Sequence, residues 1–439
     1  MRILHTADWH LGKRLDGFSR AEEQREVLRE IVDIADREQV DAVLIAGDLF
    51  DTFNPPTEAT ELFYQTLKRL ACNGKRPVVA IAGNHDSPDR IEAPDPLARE
   101  CGIIFAGHPH SVVSPFSLDC GLHITRSEPG FLELRVAGID FPLRLLLTPY
   151  ANEFRLRTYL GNTPLPATVG GTPLPATVGD LAADLPAEPV LEESPRELRQ
   201  VLAARWQSLA DAYCDEKGAN VLLAHLYLMK KDGLPPEEPD DERPIAHVGG
   251  AQAVYSENVP AQIQYVALGH LHRQQVIDTQ PCPVVYSSSP LAYSFGEANQ
   301  TKYVVLVDVH PGQPARYRPV PLSKGRKLLR GRCEGVEAAV RWLQQNPTAL
   351  VELTVVSDTY LTAPERKRVY GAHDGIVALI PEVRGAQPAA NRLTSLDLGK
   401  GMEELFTQYF KHKHTQAPND RLIDLFREVL SEGASEEEA

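Results

Sequence analysis

The chain has 439 residues, of which 43% are hydrophobic and 24% charged. That is more than one ordinary core needs, and the balance is that of a folded, water-facing enzyme with two or more domains. A formal charge of −15 argues against nucleic-acid binding at first sight, but a metal-site enzyme must concentrate carboxylates, so net charge does not decide the substrate. No apolar run approaches the ~20 residues of a membrane span. The six cysteines are scattered without a CxxC pair, and nothing resembles a signal peptide, so the expectation is a cytoplasmic protein with reduced thiols.

In chain order, Ile3–Ala7 predicts a short buried strand. Ser19 and Glu22 have capping-box spacing ahead of a helix whose core stripe is Val27, Leu28, Ile31, Ile34 and Ala35. Ala42–Ala46 predicts a strand buried on both faces, Thr57–Leu70 a second helix, and Val78–Ala82 a third strand. This alternation is the grammar of a layered α/β domain. Further strands are predicted at Leu143–Leu147, Val221–Ala224, Tyr265–Leu268, Val284–Ser287 and Val304–Val307. Between Tyr150 and Pro195 the pattern lapses, and the stretch Gly161–Val169 is repeated almost perfectly at Gly170–Val178. Two copies are too few for a solenoid, so this reads as a surface loop lengthened by duplication. Beyond about 300 come a helix at Gly335–Gln345, a strand at Leu350–Val356 and, at the end, two amphipathic helices around Leu405–Phe410 and Leu422–Leu430. The apolar faces of those last helices need a partner surface.

Five polar clusters share one placement, each after the C-terminal end of an apolar strand. They are Asp8-Trp9-His10, Gly47-Asp48-Leu49-Phe50-Asp51, Gly83-Asn84-His85-Asp86, His225, and Gly269-His270-Leu271-His272. Strand C-termini are where open α/β sheets bind ligands, so one shared crevice is expected. Asp, His and Asn supply oxygen and imidazole donors of intermediate hardness, suited to Mn²⁺, Fe²⁺ or Zn²⁺, and the lack of cysteine disfavours a structural zinc. Alternate residues in Asp8/His10 and His270/His272 can point to one side of an extended segment. Gly47, Gly83 and Gly269 would let the backbone turn sharply at each strand end.

Taken in order, these motifs resemble the calcineurin-like metallophosphoesterase superfamily. Within it, the stretches His5–Gly12, Ala46–Asp51, Ala82–Ser87, Ala267–His272 and Tyr286–Pro290 resemble the bacterial SbcD nuclease family. The resemblance implies a four-layer α/β/β/α sandwich over residues 1–298 with a loop insertion at about 155–200. A small α+β capping domain at 299–392 and partner-docking helices at 393–439 would follow. It also implies a ligand set for two divalent ions, with Mn²⁺ the expected metal. Asp8, His10 and His272 would hold one ion, Asn84, His225 and His270 the other, and Asp48 would bridge them. His85 would be the catalytic proton donor rather than a ligand, with the carboxylate of Asp51, or else Asp86, beside it. DNA phosphates would meet Lys13, Arg14, Arg20, Arg90, Lys230, Lys231 and Arg273, which lie near the motifs.

The activity so implied is that of a DNA nuclease acting on ends and hairpins, as an ATP-dependent 3'-5' double-strand exonuclease and a single-strand endonuclease in repair, recombination and replication. No Gly-x-x-x-x-Gly-Lys-Ser/Thr occurs in the chain, so the ATPase would be a separate SbcC-like, SMC-type coiled-coil subunit. The nuclease subunits would pair as a homodimer within a heterotetramer. Two other readings compete: a phosphatase or phosphodiesterase acting on a small molecule, and a catalytically dead DNA tether. The Thr52-Phe53 that follows Asp51, in place of the Arg-Gly of protein phosphatases, counts against the first.

Overall fold

The computed structural model describes residues 1–150, 195–237, 254–384 and 423. The duplicated loop at 161–178 and, apart from Ile423, the expected C-terminal helices therefore lie outside the described residues.

Two sheets form the body. The first has six strands in the order Arg316–Pro321, Tyr303–Asp308, Arg2–Thr6, Ala42–Ala46, Val78–Ile81 and Ile103–Ala106. The last four run parallel, while Tyr303–Asp308 is antiparallel to Arg2–Thr6. The second has seven, in the order Gln275–Asp278, Val284–Tyr286, Tyr265–Gly269, Ala219–His225, Leu143–Thr148, Phe131–Arg135 and His123–Glu128.

Strand alternation builds the layers. Ile3, Leu44 and Ile81 of the first sheet share a core with Leu145, Leu223 and Ala267 of the second. Their neighbours Leu4, Val43, Ile45 and Ala80 point the other way, onto Leu28, Ile31 and Ile34 of helix Ala21–Arg37 and Phe63, Leu67 and Leu70 of helix Thr57–Leu70. On the far face of the second sheet, Leu146, Leu222 and Val266 pack against Leu202, Trp206 and Ala210 of helix Pro195–Tyr213. The result is the α/β/β/α sandwich, with each buried Leu, Ile or Phe worth roughly 1.5–3 kcal/mol in removal from water. His5 braces the two sheets. Its Nε2–H donates to the Leu268 carbonyl at 3.1 Å and its Nδ1 lies 3.0 Å from the Tyr265 hydroxyl. Burial lowers the pKa of this ring to about 3, so it stays neutral.

A separate three-stranded sheet, Leu328–Glu334, Leu350–Ser357 and Ile376–Val383, carries helices Gly335–Gln345 and Ala363–Gly371. Its core is its own, built from Ala339, Leu343, Val351, Leu353, Val355 and Val369. At the end of the last strand the Arg384 amide donates to the Ser357 carbonyl at 2.9 Å.

Three expectations need correction. The boundary at 298 falls too early, because Tyr303–Asp308 and Arg316–Pro321 complete the first sheet through the pairing of Val305 with His5. The Ser19/Glu22 capping box does not form either. The helix starts at Ala21 with Arg20 as its N-cap and no side-chain cap bond. Arg20 is instead only 1% exposed, clamped by both oxygens of Glu23 at 2.7 and 2.9 Å and by the Ala292 carbonyl at 2.8 Å. A guanidinium so enclosed is a packing group and is removed from the set of DNA contacts.

Candidate metal centre

The parallel strands deliver the five clusters to one edge of the sandwich. Backbone bonds then zip the first two loops together: the Asp8 amide donates to Gly47 O at 3.0 Å, His10 to Asp48 O at 3.0 Å and Leu11 to Leu49 O at 3.1 Å. Trp9 lies between the two ligand candidates and points away from them. It is fully buried, with its indole N–H on Thr6 Oγ1 at 3.0 Å and its ring edge-on to Phe63.

Asp8 and His10 do share a side, but not by extended alternation. Both adopt left-handed backbone, φ 54° and 43°, as do Asp48 at 48° and His270 at 103°. Such conformations cost non-glycine residues about 1–3 kcal/mol each and gather where function demands a geometry. The glycines also act differently from expectation. Only Gly47 takes a positive φ, 84°. Gly83 and Gly269 serve close approach: a Cβ on Gly83 would lie 2.0 Å from Asp48 Oδ1, and one on Gly269 would lie 1.8 Å from the Ala46 carbonyl oxygen. That carbonyl also receives the Nδ1–H of His225 at 2.8 Å. Gly269→Ala is therefore expected to push the sheets apart at the site. The cost should be about 1–3 kcal/mol or more, read by urea unfolding, with ion affinity falling as well.

Three donor groups result among the described residues: Asp8 with His10 and His272, Asp48 with His225 and His270, and, sharing His10 with the first, Asp51 with His10 and His85. In the first, the Nε2 atoms of His10 and His272 lie 3.0 Å apart, while Asp8 Oδ2 is buried without a hydrogen-bond partner. In the second, Asn84 Oδ1 lies 2.9 Å from His225 Nε2 and 3.0 Å from His270 Nδ1. Asp48 Oδ2 stands 3.5 Å from one nitrogen of each of these first two groups, His10 Nε2 and His225 Nε2. Its Oδ1 accepts the His85 amide at 2.9 Å, which fixes the carboxylate between them.

The electrostatics call for cations. The Ala46 carbonyl can only accept, so Nδ1 of His225 carries hydrogen and the neutral ring presents a lone pair at Nε2. That lone pair faces two further acceptors, Asn84 Oδ1 and Asp48 Oδ2, with no proton among them. Without metal, a proton on His225 fills the gap: burial opposes charge there, but Asp48 prevails and raises the pKa to about 9. Asp8 moves the other way for an acid, raised to about 6 by burial first of all. Asp48 stays well below the usual carboxylate range, because His225, His10 and His85 outweigh burial. His270 is lowered to about 3 by burial and by His225, and so offers a neutral nitrogen. Orphaned acceptors and neutral imidazoles around two buried carboxylates fit two divalent ions of intermediate hardness.

His85 sits at the mouth of the cluster, its ring centroid 4.8 Å from that of His10. Its Nδ1 donates to the backbone carbonyl of Asp51 at 2.8 Å, which leaves Nε2 to face outward chemistry. The expected carboxylate partners are engaged elsewhere. Asp51 Oδ1 takes the Lys13 ammonium at 2.9 Å, and the Asp86 carboxylate clamps the amides of Gly83, Leu49 and Phe50 at 2.8–3.0 Å. Asp51 thus orients His85 through its main chain, while its carboxylate also groups with His10 and His85, Oδ1 standing 3.8 Å from His10 Nδ1.

Of the basic candidates, Arg14, Arg90, Lys230, Lys231 and Arg273 are exposed and Lys13 is half-buried. Several already have partners: Arg14 with Gly17 O, Arg90 with Asn54, Lys230 with Asp278, and Arg273 with Glu237. Residues that sequence reasoning missed stand behind His272. Glu297 and Lys302 form a buried polar group there with Ser289 of the Tyr286–Pro290 stretch, and no local motif signals the first two because only the fold brings 297 to 272.

A family model described as calcineurin-like phosphoesterase matches residues 1–125. Over 443 residues, spanning 100% of both chains, the sequence is 35% identical to the SbcD subunit of the SbcCD nuclease of Bacillus subtilis (strain 168). The SbcD subunit from Rhodobacter capsulatus is 33% identical over 73% of this chain and 69% of its own. The one from Escherichia coli (strain K12) is 26% identical over 100% of both. On that full-length identity, this chain belongs to the SbcD family of nuclease subunits.

Proposed function

We propose that this chain is the metal-dependent nuclease subunit of an SbcCD-type complex and hydrolyses DNA phosphodiester bonds. The observation that carries this reading is Asp48 Oδ2, held 3.5 Å from a nitrogen of each donor group at the strand ends. The full-length relationship to nuclease subunits supports the substrate class.

Asp8, His10 and His272 would hold one ion, Asn84, His225 and His270 the other, and Asp48 both; Mn²⁺ suits this mixed oxygen and imidazole set. Two such ions supply Lewis acidity toward a phosphodiester and an activated water. The protein's part is positioning and proton delivery. Asp86, by tying three amides, keeps the Asp48 and Asn84 loops in register. His85, oriented by the Asp51 carbonyl, carries a proton at Nε2 toward the leaving sugar oxygen. Lys13, with Arg14, Arg90, Lys230, Lys231 and Arg273, lines the approach of the phosphate backbone, which contributes position rather than base sequence.

The remaining assignments are part of the same proposal. The domain of residues 328–383 caps the site, and the segment beyond 393 docks a coiled-coil SbcC-like ATPase. Two such nuclease subunits pair in the complex, which acts on DNA ends and hairpins inside the cell.

The test is incubation of the purified chain, alone and with its ATPase partner, with linear duplex DNA, hairpin DNA or bis-p-nitrophenyl phosphate in Mn²⁺, Mg²⁺ or EDTA. Cleavage of DNA in Mn²⁺, lost in EDTA and restored by adding Mn²⁺ back, is the expected result. Hydrolysis of the small diester with DNA left intact under every condition would transfer the chain to small-molecule chemistry.

A further inference from the structure

Behind His272 lies a closed group of charged side chains that the hydrolytic scheme does not use. Glu297 is 0% exposed, and Lys302 is buried beside it. One oxygen of Glu297 lies 3.3 Å from His272 Nδ1 and accepts the Tyr293 amide at 3.0 Å. The other takes a short bond from the Lys302 ammonium. Lys302 Nζ also donates to the His272 carbonyl at 2.8 Å and to Ser289 Oγ at 3.0 Å. Ser289 Oγ lies in turn 2.8 Å from the Leu291 carbonyl.

A buried ion pair of this kind is rarely retained for stability. Desolvating both charges costs several kcal/mol per ion, and apolar residues of equal volume usually do as well. What this one does is hold His272 at both ends, the ring by Glu297 and the main chain by Lys302. The carboxylate can only accept, so it fixes hydrogen on Nδ1 of His272 and turns the lone pair of Nε2 toward the Nε2 of His10, 3.0 Å away. A carboxylate on the far nitrogen of a ligating histidine fixes the tautomer, aims the ring and makes it a better donor. His10 is held less closely: its Nδ1 makes no hydrogen bond and stands 3.8 Å from Asp51 Oδ1.

We propose that Glu297, anchored by Lys302, is a positioning residue for the ion held by Asp8, His10 and His272, acting through the His272 ring. This rests on the two-ion reading of the site. The group on Asn84, His225 and His270 touches none of these side chains in the bonds described, so the effect is confined to one of two sites.

The experiment is Mn²⁺ titration of the metal-free full-length chain, with free Mn²⁺ followed by electron paramagnetic resonance. It compares wild type, Glu297→Gln/Lys302→Met, His272→Ala and the combination of all three. The paired substitution removes both charges together, so neither is left buried alone. It is expected to unfold within a few degrees of wild type, to bind one ion as wild type does, and to bind the other about 10–100-fold more weakly. The triple variant should bind no more weakly than His272→Ala, since Glu297 has nothing to act through once the ring is gone. Undiminished binding of both ions by the pair variant, equal weakening of both, or further loss in the triple variant would each overturn the assignment. A wild-type chain that takes up no Mn²⁺ would instead sink the two-ion reading itself.

Discussion

His85→Ala is expected to abolish DNA cleavage while two ions still bind. The imidazole makes no contact with the Asp8–His10–His272 donors other than an edge-on approach to His10, and its Nδ1 is committed to the Asp51 carbonyl. Its amide, which steadies Asp48 Oδ1 at 2.9 Å, survives truncation of the side chain. What disappears is the proton at Nε2, and positioned general acids contribute roughly 10²–10⁴-fold. The leaving group gives a sharper readout. A sugar alkoxide needs that proton, whereas p-nitrophenolate leaves without one, so the variant should lose far more activity on DNA than on bis-p-nitrophenyl phosphate. Equal losses on both would make His85 a stabiliser of the phosphoryl oxygens. Loss of an ion, measured by metal analysis after gel filtration, would make it a ligand, a role that its loose group with His10 and Asp51 leaves geometrically open.

What could be read in advance depended on whether a feature was local in the chain. Strands buried on both faces appear as unbroken apolar runs, and Ala42–Ala46 and Val78–Ile81, fully buried in the fold, were legible for that reason. His123–Glu128 was not: it is an edge strand with only Ile124 and half of Ser127 covered, so its polar text resembles a loop. The site followed the same division. Three of the five motifs end parallel strands of the first sheet and two end parallel strands of the second, so each set gathers at one edge without tertiary detail, while the packing of the sheets brings the two sets together. Partners that arise from tertiary contact stayed hidden. Arg20 looks like a surface cation in sequence, but Glu23 one helical turn on neutralises it inside the packing. Asp51 offers a carboxylate in sequence, yet its main-chain carbonyl is what meets His85. Gly83 and Gly269 read as turn formers, although their absent side chains matter because Asp48 and Ala46 need the space.

Asp48→Ala should produce the largest loss, because one side chain serves both ion sites. Substituting a ligand of one group, such as His270, leaves all four donors of the other ion, Asp8, His10, His272 and Asp48, in place, so one ion should survive. Removing Asp48 subtracts the shared oxygen from both, and metal analysis should find neither ion retained. Each ion is worth several kcal/mol to the transition state. At about 1.4 kcal/mol per tenfold, loss of both implies a rate reduction of roughly a thousandfold or more. A second measurement separates this from unfolding. In the metal-free wild type, Asp48 holds His225 protonated with a pKa of about 9, against an ordinary 6.5. A histidine raised on folding contributes stability that is complete below its unfolded pKa and is lost as pH climbs through the folded one. EDTA-treated wild type should therefore lose stability between about pH 6.5 and 9. Asp48→Ala lacks the charge that raises His225, so its curve over that interval should be flat, as should that of wild type saturated with Mn²⁺. A declining curve in Asp48→Ala would mean that the proton in the metal-free site is held by some other group and that Asp48 is not the centre's shared anion.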